Sequence, residues 1–468
     1  MKTHKIELVS NGVPTSFSFT DSSFLVQSSD RAKPKLEVPL KRILWAGITG
    51  NVIDVHVLAK KHARLVLVKV EGRASDVGEE TTQWVEELMR AAYPGVKPQR
   101  RFLVIINPAG GPGKANIIFK RKVEPMLRIA HCTYETIFTE YQRHAVQIGT
   151  DIALDKYDAI LVVSGDGVLH ELFNGFAQHA EPRRAFKIPI APIPAGSGNG
   201  TSLNLIGLEE GQDVSAAALN AIKGRPMPVD LCSVLQNEQR SFSFMTQCVG
   251  LMADLDLGTE HLRWMGSNRF VYGFLRGIIT RKSYPFSIAI KALESDKAKM
   301  LDSLRALRSK SPEELFQDTA TDEVVDNTLP PLRYVSDDPE GWITMDEPIL
   351  YMYAGKGPFV SRDLMQFPVS MPNDGVVDVV VQAATSRVGM LKGMDGAEHG
   401  AGYWRNSARY YKAVAYRVKP LKSQGYLSID GEKFPYEEFR VEVHQGLGTL
   451  LSPLGRYAAE FDDAPPDA

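Results

Sequence analysis

Three stretches of the sequence pair glycine with side chains suited to holding charged oxygens. Asn107-Pro108-Ala109-Gly110-Gly111-Pro112-Gly113-Lys114 follows the apolar run FLVII, Ser164-Gly165-Asp166-Gly167 follows AILVV, and Pro194-Ala195-Gly196-Ser197-Gly198-Asn199-Gly200 follows IPIAPI. Glycine lacks a Cβ and tolerates positive φ, so backbone N–H groups in such turns can close on a phosphate. The first turn is not a Walker P-loop, because Lys114 is followed by Ala115 rather than Ser or Thr. Alone it reads equally well as a structural turn. Three such turns at the ends of three apolar strands point instead to a polyphosphate site, since ligands of an open parallel sheet sit outside the carboxyl ends of its strands.

The elements that would carry these turns are legible around them. Apolar strands running into glycines at 101–111, 159–167 and 187–200, with a strand at 134–138, alternate with helical patterns from Ala115 to Ala130 and after Glu140, which predicts a parallel α/β lobe over 100–225. Beyond residue 226 the runs FSIAIKA, ILYMYAG, VVDVVVQAA and YLSIDG predict a C-terminal antiparallel β-sandwich lobe over 226–460. The polar, aromatic-poor stretch 295–335 reads as an insertion loop holding at most a transient helix, and 461–468 as a disordered tail. Residues 1–99 read as a small β-rich module, with strands at 48–59 and 65–70 and a closing helix at 81–93. A chain of 468 residues suits two to four domains at roughly 100–200 residues each.

Composition narrows the class further. With 44% hydrophobic and 24% charged residues the chain can bury real cores, and 54 Lys+Arg against 56 Asp+Glu give no global argument for nucleic acid. Cys132, Cys232 and Cys248 are odd in number and widely spaced, which predicts buried thiols in a reducing compartment. The N-terminus lacks a signal-peptide core, and no run approaches the ~20 apolar residues of a membrane span. A cytoplasmic protein with at most peripheral membrane contact is expected.

NPAGGPGK, SGDGVLHELFNG and PIPAGSGNG, in this order, resemble the catalytic domain of the diacylglycerol kinase superfamily. Within it, SGDG followed by two hydrophobic residues and His-Glu resembles sphingosine (long-chain-base) kinases, where diacylglycerol kinases typically carry GGDGT. CVGLMADLDLGTEHLRWMGSNRF, NDGVVDVVVQAATSRVGMLKGM and YLSIDGEKF extend the resemblance over about residues 100–460. The resemblance implies transfer of the ATP γ-phosphate to the primary hydroxyl of a sphingoid base at a site between the two lobes. It implies nucleotide contacts from Asn107, Pro108, Gly110, Gly111, Gly113, Lys114, Thr139, Ser164, Gly165, Gly167, Gly196, Ser197, Gly198 and Asn199, joined by Arg263, Arg269, Asp430 and Glu432. The module before the kinase resembles the pleckstrin-homology-like segment of some fungal long-chain-base kinases and ceramide kinases, with a plain structural cap as the alternative.

The residues fit that chemistry. A primary hydroxyl needs a carboxylate to accept its proton, and Asp166, between two glycines at a strand end, is the expected base; a cap for the helix starting near Val168 is the other reading. His170 and Glu171 read as packing and hydrogen-bonding residues of that helix. An ammonium wants a carboxylate, and the resemblance makes Asp256 the lipid contact with Asp254 and Glu260 nearby, the two aspartates expected on one face of a strand. Asp430 and Glu432 are the expected Mg²⁺ ligands, an ordinary Asp-Gly hairpin being their alternative. Asp374 and Asp378 read as structural. Aromatic and basic residues alternate over Trp264–Ser283, which suits a lipid channel meeting a membrane and equally suits a core. The expected partners are the sphingoid base and a membrane surface, with no nucleic acid, and a homodimer is left open. The competing readings are a ceramide or diacylglycerol kinase, or an inactive lipid-binding scaffold.

Overall fold

The computed structural model describes residues 3–30, 33–259, 262, 272–274, 276–277, 284–317, 326–335, 340–345, 348–393 and 395–461. The N-terminal region forms a seven-stranded, wholly antiparallel sheet closed by the helix Glu79–Ala92. Two meanders, His4–Pro39 and Ile43–Arg73, meet where Val9 pairs with Arg73. The expected strand at 48–59 is in fact two, Ile43–Thr49 and Val52–Lys61, because Gly50 and Asn51 turn the chain between them. Glu79 and Glu80 favour the positive N-terminus of the closing helix, and its Trp84, Leu88 and Ala92 share a buried stripe. One hydrophobic core runs from Phe17 and Phe24 through Trp84 and Leu88 to Leu127, Ala217 and Ala221. The module therefore shares its core with the region behind it.

Behind it lie a mixed sheet of fifteen strands and a separate two-stranded one, Phe359–Ser361 with Leu364–Met365. Thr133–Phe138, Arg101–Ile106, Ala159–Ser164 and Ile190–Pro194 lie side by side in parallel, in that spatial order. Every residue of Ala159–Ser164 is buried, as expected for a strand covered on both faces. The long C-terminal strand Phe439–Ser452 pairs in parallel with Ile190–Pro194 at Ile190↔Leu450 and antiparallel with Ala408–Pro420. Beyond it follow Val377–Ala383, Ile349–Gly355, Thr246–Gly250 and Leu427–Ile429, all antiparallel. Where composition suggested a boundary near residue 225, hydrogen bonding is continuous.

The 295–335 stretch departs from expectation. Residues 297–317 form two helices, Lys297–Ser309 and Pro312–Gln317, rather than a loop. Asp296 caps the first by accepting from Ala298 N at 2.8 Å, and Met300, Leu301 and Leu304 are buried in a core shared with Tyr353 and Tyr410. Residues 318–325, 336–339 and the tail 462–468 lie outside the described residues.

Buried charges fix the antiparallel region. Lys356 Nζ donates to Asp230 Oδ2 at 2.9 Å, Asp374 Oδ1 at 2.6 Å and the Val376 carbonyl at 2.8 Å. Lys412 Nζ reaches Asp374 Oδ2 at 2.8 Å and Asp378 Oδ1 at 3.2 Å, and the Tyr410 hydroxyl donates to Asp378. Burial works against the Lys356 charge, but Asp230 and Asp374 outweigh it and hold its pKa well above the ordinary value. Burial likewise opposes the Asp374 carboxylate, yet Lys356 and Lys412 pull its pKa down to about 2. Removing one member leaves the others buried and uncompensated. Lys356→Met should cost about 3–5 kcal/mol of folding stability, read as a fall in the denaturant midpoint, whereas a loss below ~1 kcal/mol would show that the network relaxes or takes up water.

Candidate active site

The three glycine turns meet backbone to backbone at the carboxyl ends of the parallel strands. A Cβ on Gly111, whose φ is +54°, would lie 2.6 Å from the Ala195 carbonyl oxygen and 3.0 Å from Gly196 Cα, and one on Gly165 would lie 3.2 Å from Gly196 Cα. A Cβ on Gly196 would overlap Gly165 Cα. Glycine is thus required first for the turns to pack on each other. Gly198 differs, since a Cβ there would meet no protein atom within 4 Å. Asn199, with φ +56°, holds the third turn through its side chain, accepting from Gly196 N and donating to Gly196 O, both at 2.9 Å.

Asp166 opens the helix Asp166–Phe176 but does not cap it. Its Oδ2 accepts from Gly200 N at 2.8 Å and its Oδ1 from Thr201 N at 3.3 Å, the first amides of the helix Gly200–Ile206. The second and third turns are thereby tied through the carboxylate. Burial raises its pKa above the ordinary aspartate value, the Thr201 and Gly200 hydrogen bonds oppose that rise, and the Asp430 charge adds to it. Glu171 accepts from Arg143 N and Ala145 N, both at 3.1 Å, and so fastens the helix His144–Thr150.

Asp430, expected as a metal ligand, is committed elsewhere. Its Oδ1 accepts from Ser243 Oγ at 2.7 Å, Met245 N at 3.0 Å and Thr246 N at 2.8 Å. Its Oδ2 accepts from Phe244 N at 3.1 Å and pairs with His170 Nδ1 at 2.8 Å. Five partners fill the roughly four lone-pair positions of a carboxylate, and the side chain has no exposed surface. Asp430 is thus a structural knot as well as a residue of the cavity wall. Its turn, with φ +50° at Asp430 and +82° at Gly431, instead carries Glu432 to the cavity, where Glu432 Oε1 would lie 3.2 Å from a Cβ on Gly167. Among the described residues no three His, Cys, Asp or Glu side chains cluster as a metal site.

Asp254 and Asp256 are on the helix Leu251–Gly258, not a strand, and do not share a face. Two helical positions apart means a rotation of about 200°. Asp254 turns to Tyr284, whose hydroxyl donates to it at 2.8 Å, while Asp256 accepts from Ser428 Oγ at 2.6 Å and lines the cavity. Gly250, at φ +81°, ends the preceding strand and turns the chain into the helix. Asp374 and Asp378 belong to the buried ion network described above.

One cavity of about 490 Å³ joins these parts. Asn107, Gly110, Gly111, Ser164, Gly165, Asp166, Gly167, Gly196, Ser197, Gly198, Asn199 and Glu432 line one end, and Asp256 with Met252, Leu255, Tyr353, Met365, Val380, Met390 and Tyr403 lines the other. Pro108, Gly113, Lys114 and Thr139 are not on its wall, and Lys114 is exposed. Glu260, Arg263 and Arg269 lie outside the described residues, as does most of the Trp264–Ser283 stretch, of which Phe274 lines the cavity. The apolar wall comes largely from strands Ile349–Gly355, Leu364–Met365 and Val377–Ala383, residues that sequence reasoning did not select. Their alternation betrays a strand face but not what that face surrounds.

The family model for the diacylglycerol kinase catalytic domain matches residues 101–234. Sphingoid long chain base kinase 4 of Schizosaccharomyces pombe is 33% identical over 428 residues, covering 90% of this chain and 89% of that one. Sphingosine kinase 1 of Arabidopsis thaliana is 28% identical, covering 95% of both chains. Sphingosine kinase 1 of Homo sapiens is 28% identical, over 76% of this chain and 92% of that one. The likeness to the yeast enzyme runs through nearly the whole of both chains and takes in all three glycine turns and the Asp256 helix, so the chain belongs to the sphingoid long-chain-base kinase family.

Proposed function

We propose that the protein transfers the γ-phosphate of ATP to the primary hydroxyl of a sphingoid base, giving the base 1-phosphate. One observation carries this reading: Asp166, the three glycine turns, Asp256 and an extended apolar wall share a single cavity. Polyphosphate would lie against the turns, the lipid tail along the apolar wall, and the head group between the two aspartates. Asp256 pairs with the ammonium and orients the neighbouring hydroxyl toward Asp166. Asp166 accepts the hydroxyl proton as the oxygen bonds to the γ-phosphorus and the bond to the β-phosphate oxygen breaks, releasing ADP. A carboxylate whose pKa is raised by burial is the stronger proton acceptor.

Mg²⁺ would neutralise phosphate charge. Glu432 is the carboxylate beside the glycine turns that suits it, since this ion uses one or two carboxylates and takes its other ligands from phosphate and water. Arg263 and Arg269 are proposed phosphate contacts by family likeness. We read residues 100–225 and 226–460 as the two kinase lobes and 1–99 as a pleckstrin-homology-like module, a reading supported by its seven antiparallel strands and closing helix. Among the described residues no helix is long and apolar enough to cross a membrane; we propose that the protein works in the cytoplasm and visits membranes peripherally to collect its lipid.

Replacing Asp166 with Asn should lower turnover by about 10²–10⁴-fold while nucleotide binding persists; near-normal activity with sphingosine and ATP would remove Asp166 as the base. Because burial raises its pKa, the acid limb of the kcat/KM profile should lie above the ordinary carboxylate range, activity being present above that pKa and lost as pH falls through it. Asp256→Ala should raise KM for sphingosine about tenfold or more with KM for ATP unchanged, and a better rate on diacylglycerol than on sphingosine would overturn the substrate reading. Gly196→Ala should lose both thermal stability and nucleotide affinity, whereas Gly198→Ala should melt like the wild type and lose nucleotide affinity alone. Equal behaviour of the two variants would mean that the turns do not divide packing from binding in this way.

A further inference from the structure

The short turn Leu208–Asp213 lies between the N-terminal sheet and the third glycine turn, and it is bonded to both. On the glycine side, Gln212 Nε2 donates to the Gly198 carbonyl at 3.1 Å, and Gln212 Oε1 accepts from Asn199 Nδ2 at 3.2 Å. Asn199 is the residue whose side chain closes the turn on Gly196, and Gly198 and Asn199 both line the cavity. A single amide thus grips the turn from outside, with its donor and its acceptor both used. On the module side, Asp213 Oδ2 accepts from Leu65 N at 2.7 Å, Arg42 reaches Glu210 at 3.0 Å and Lys60 reaches Glu209 at 2.6 Å. Lys60 and Leu65 are paired across the hairpin Val52–Arg73, so the hairpin tip and the 3₁₀ turn at Arg42 together clasp the three acids.

The turn has little freedom between these contacts. A Cβ on Gly211 would lie 2.6 Å from the Gly207 carbonyl oxygen and 2.7 Å from Leu203 Cα, so the turn sits flat on the helix Gly200–Ile206. That helix donates its first amides to Asp166. Asp213 also caps the next helix, accepting from Ser215 N at 2.8 Å, which anchors the far end of the turn. A shift of the module hairpin would therefore be passed to Gln212 and from there to Gly198 and Asn199.

We propose that Gln212 is a positioning residue for nucleotide binding, and that the N-terminal module, acting through Asp213 with Glu209 and Glu210, holds it in place. This rests on the reading of the glycine turns as the ATP site and adds the module to the parts that set ATP affinity. The physical basis is preorganisation: a turn already held in its binding conformation loses less freedom when the phosphates arrive.

The test uses the full chain and three measurements: ATP affinity by calorimetry, KM for each substrate, and the melting temperature. Gln212→Met keeps the side-chain length but removes both hydrogen bonds. Asp213→Ser keeps a helix cap but is too short to reach Leu65 N. Each should weaken ATP binding about threefold to tenfold, with KM for sphingosine and kcat within about twofold and melting close to wild type. Their combination should cost less than the product of the two single effects, because both act through one turn. Wild-type ATP affinity in Gln212→Met would overturn the positioning role, and wild-type affinity in Asp213→Ser would overturn the part given to the module. A parallel rise in both KM values with a lowered melting temperature would mark a general structural role and also overturn it. If the wild-type chain itself neither bound ATP nor phosphorylated sphingosine, the functional reading would fail instead.

Discussion

The carboxylate of Asp430 is the constraint on which the site's geometry depends. It gathers His170 from the helix that begins at Asp166, the hydroxyl of Ser243, and three successive amides leading into the strand that carries Thr246. That strand runs directly into the Asp256 helix, and the Asp430 turn itself delivers Glu432. Asp166, Asp256 and Glu432 thus take their relative positions from one buried carboxylate. Satisfying such a charge with five donors is what makes its burial tolerable.

A second constraint is the continuity of the sheet. Phe439–Ser452 pairs in parallel with the strand leading to the third glycine turn and antiparallel with Ala408–Pro420, which in turn pairs with Val377–Ala383 of the cavity's apolar wall. Side chains of one sheet have fixed spacing and direction, so distances between the glycine turns and the apolar wall of the cavity are set by strand register rather than by docking of two free bodies. The N-terminal sheet joins this frame through a shared core and through Lys223, which donates to the Ala92 carbonyl and lies 4.0 Å over the Tyr93 ring.

The sequence made the glycine turns and Asp166 legible because their signal is local: an apolar strand, then glycine, then a helix. Contacts at long range were not legible. Asp430 meets His170 across 260 positions, and an Asp-Gly pair looks the same whether it closes an ordinary hairpin or anchors a site. The pattern ADLDLG fits both a period of two and a helical turn, and only the positive φ of Gly250 resolves it, separating Asp254 from Asp256. Helix 297–309 reads from sequence as no more than a transient helix because its buried stripe is just Met300, Leu301 and Leu304 amid charges. The cavity wall escaped because it is assembled from strands and turns far apart in the chain, each reading as ordinary core.

Asp166 and Asp256 show how one pocket can separate two tasks. Asp166 sits where burial raises its pKa and two helix amides steady it, an environment that suits the proton acceptor of the proposed reading. Asp256 sits toward the apolar end, held by Ser428 and close enough to Cys248 and Tyr353 to add to the rise in both their pKa values. On the proposed reading, a carboxylate there penalises any lipid that covers it with neutral groups, because desolvating the charge without a partner is costly. A lipid bringing an ammonium compensates that cost and is selected by charge, while the apolar wall, which touches only hydrocarbon, contributes affinity with little discrimination. Selectivity for the amine and reactivity at the hydroxyl can then be set independently, since the carboxylates responsible stand on different helices and share only the Asp430 anchor.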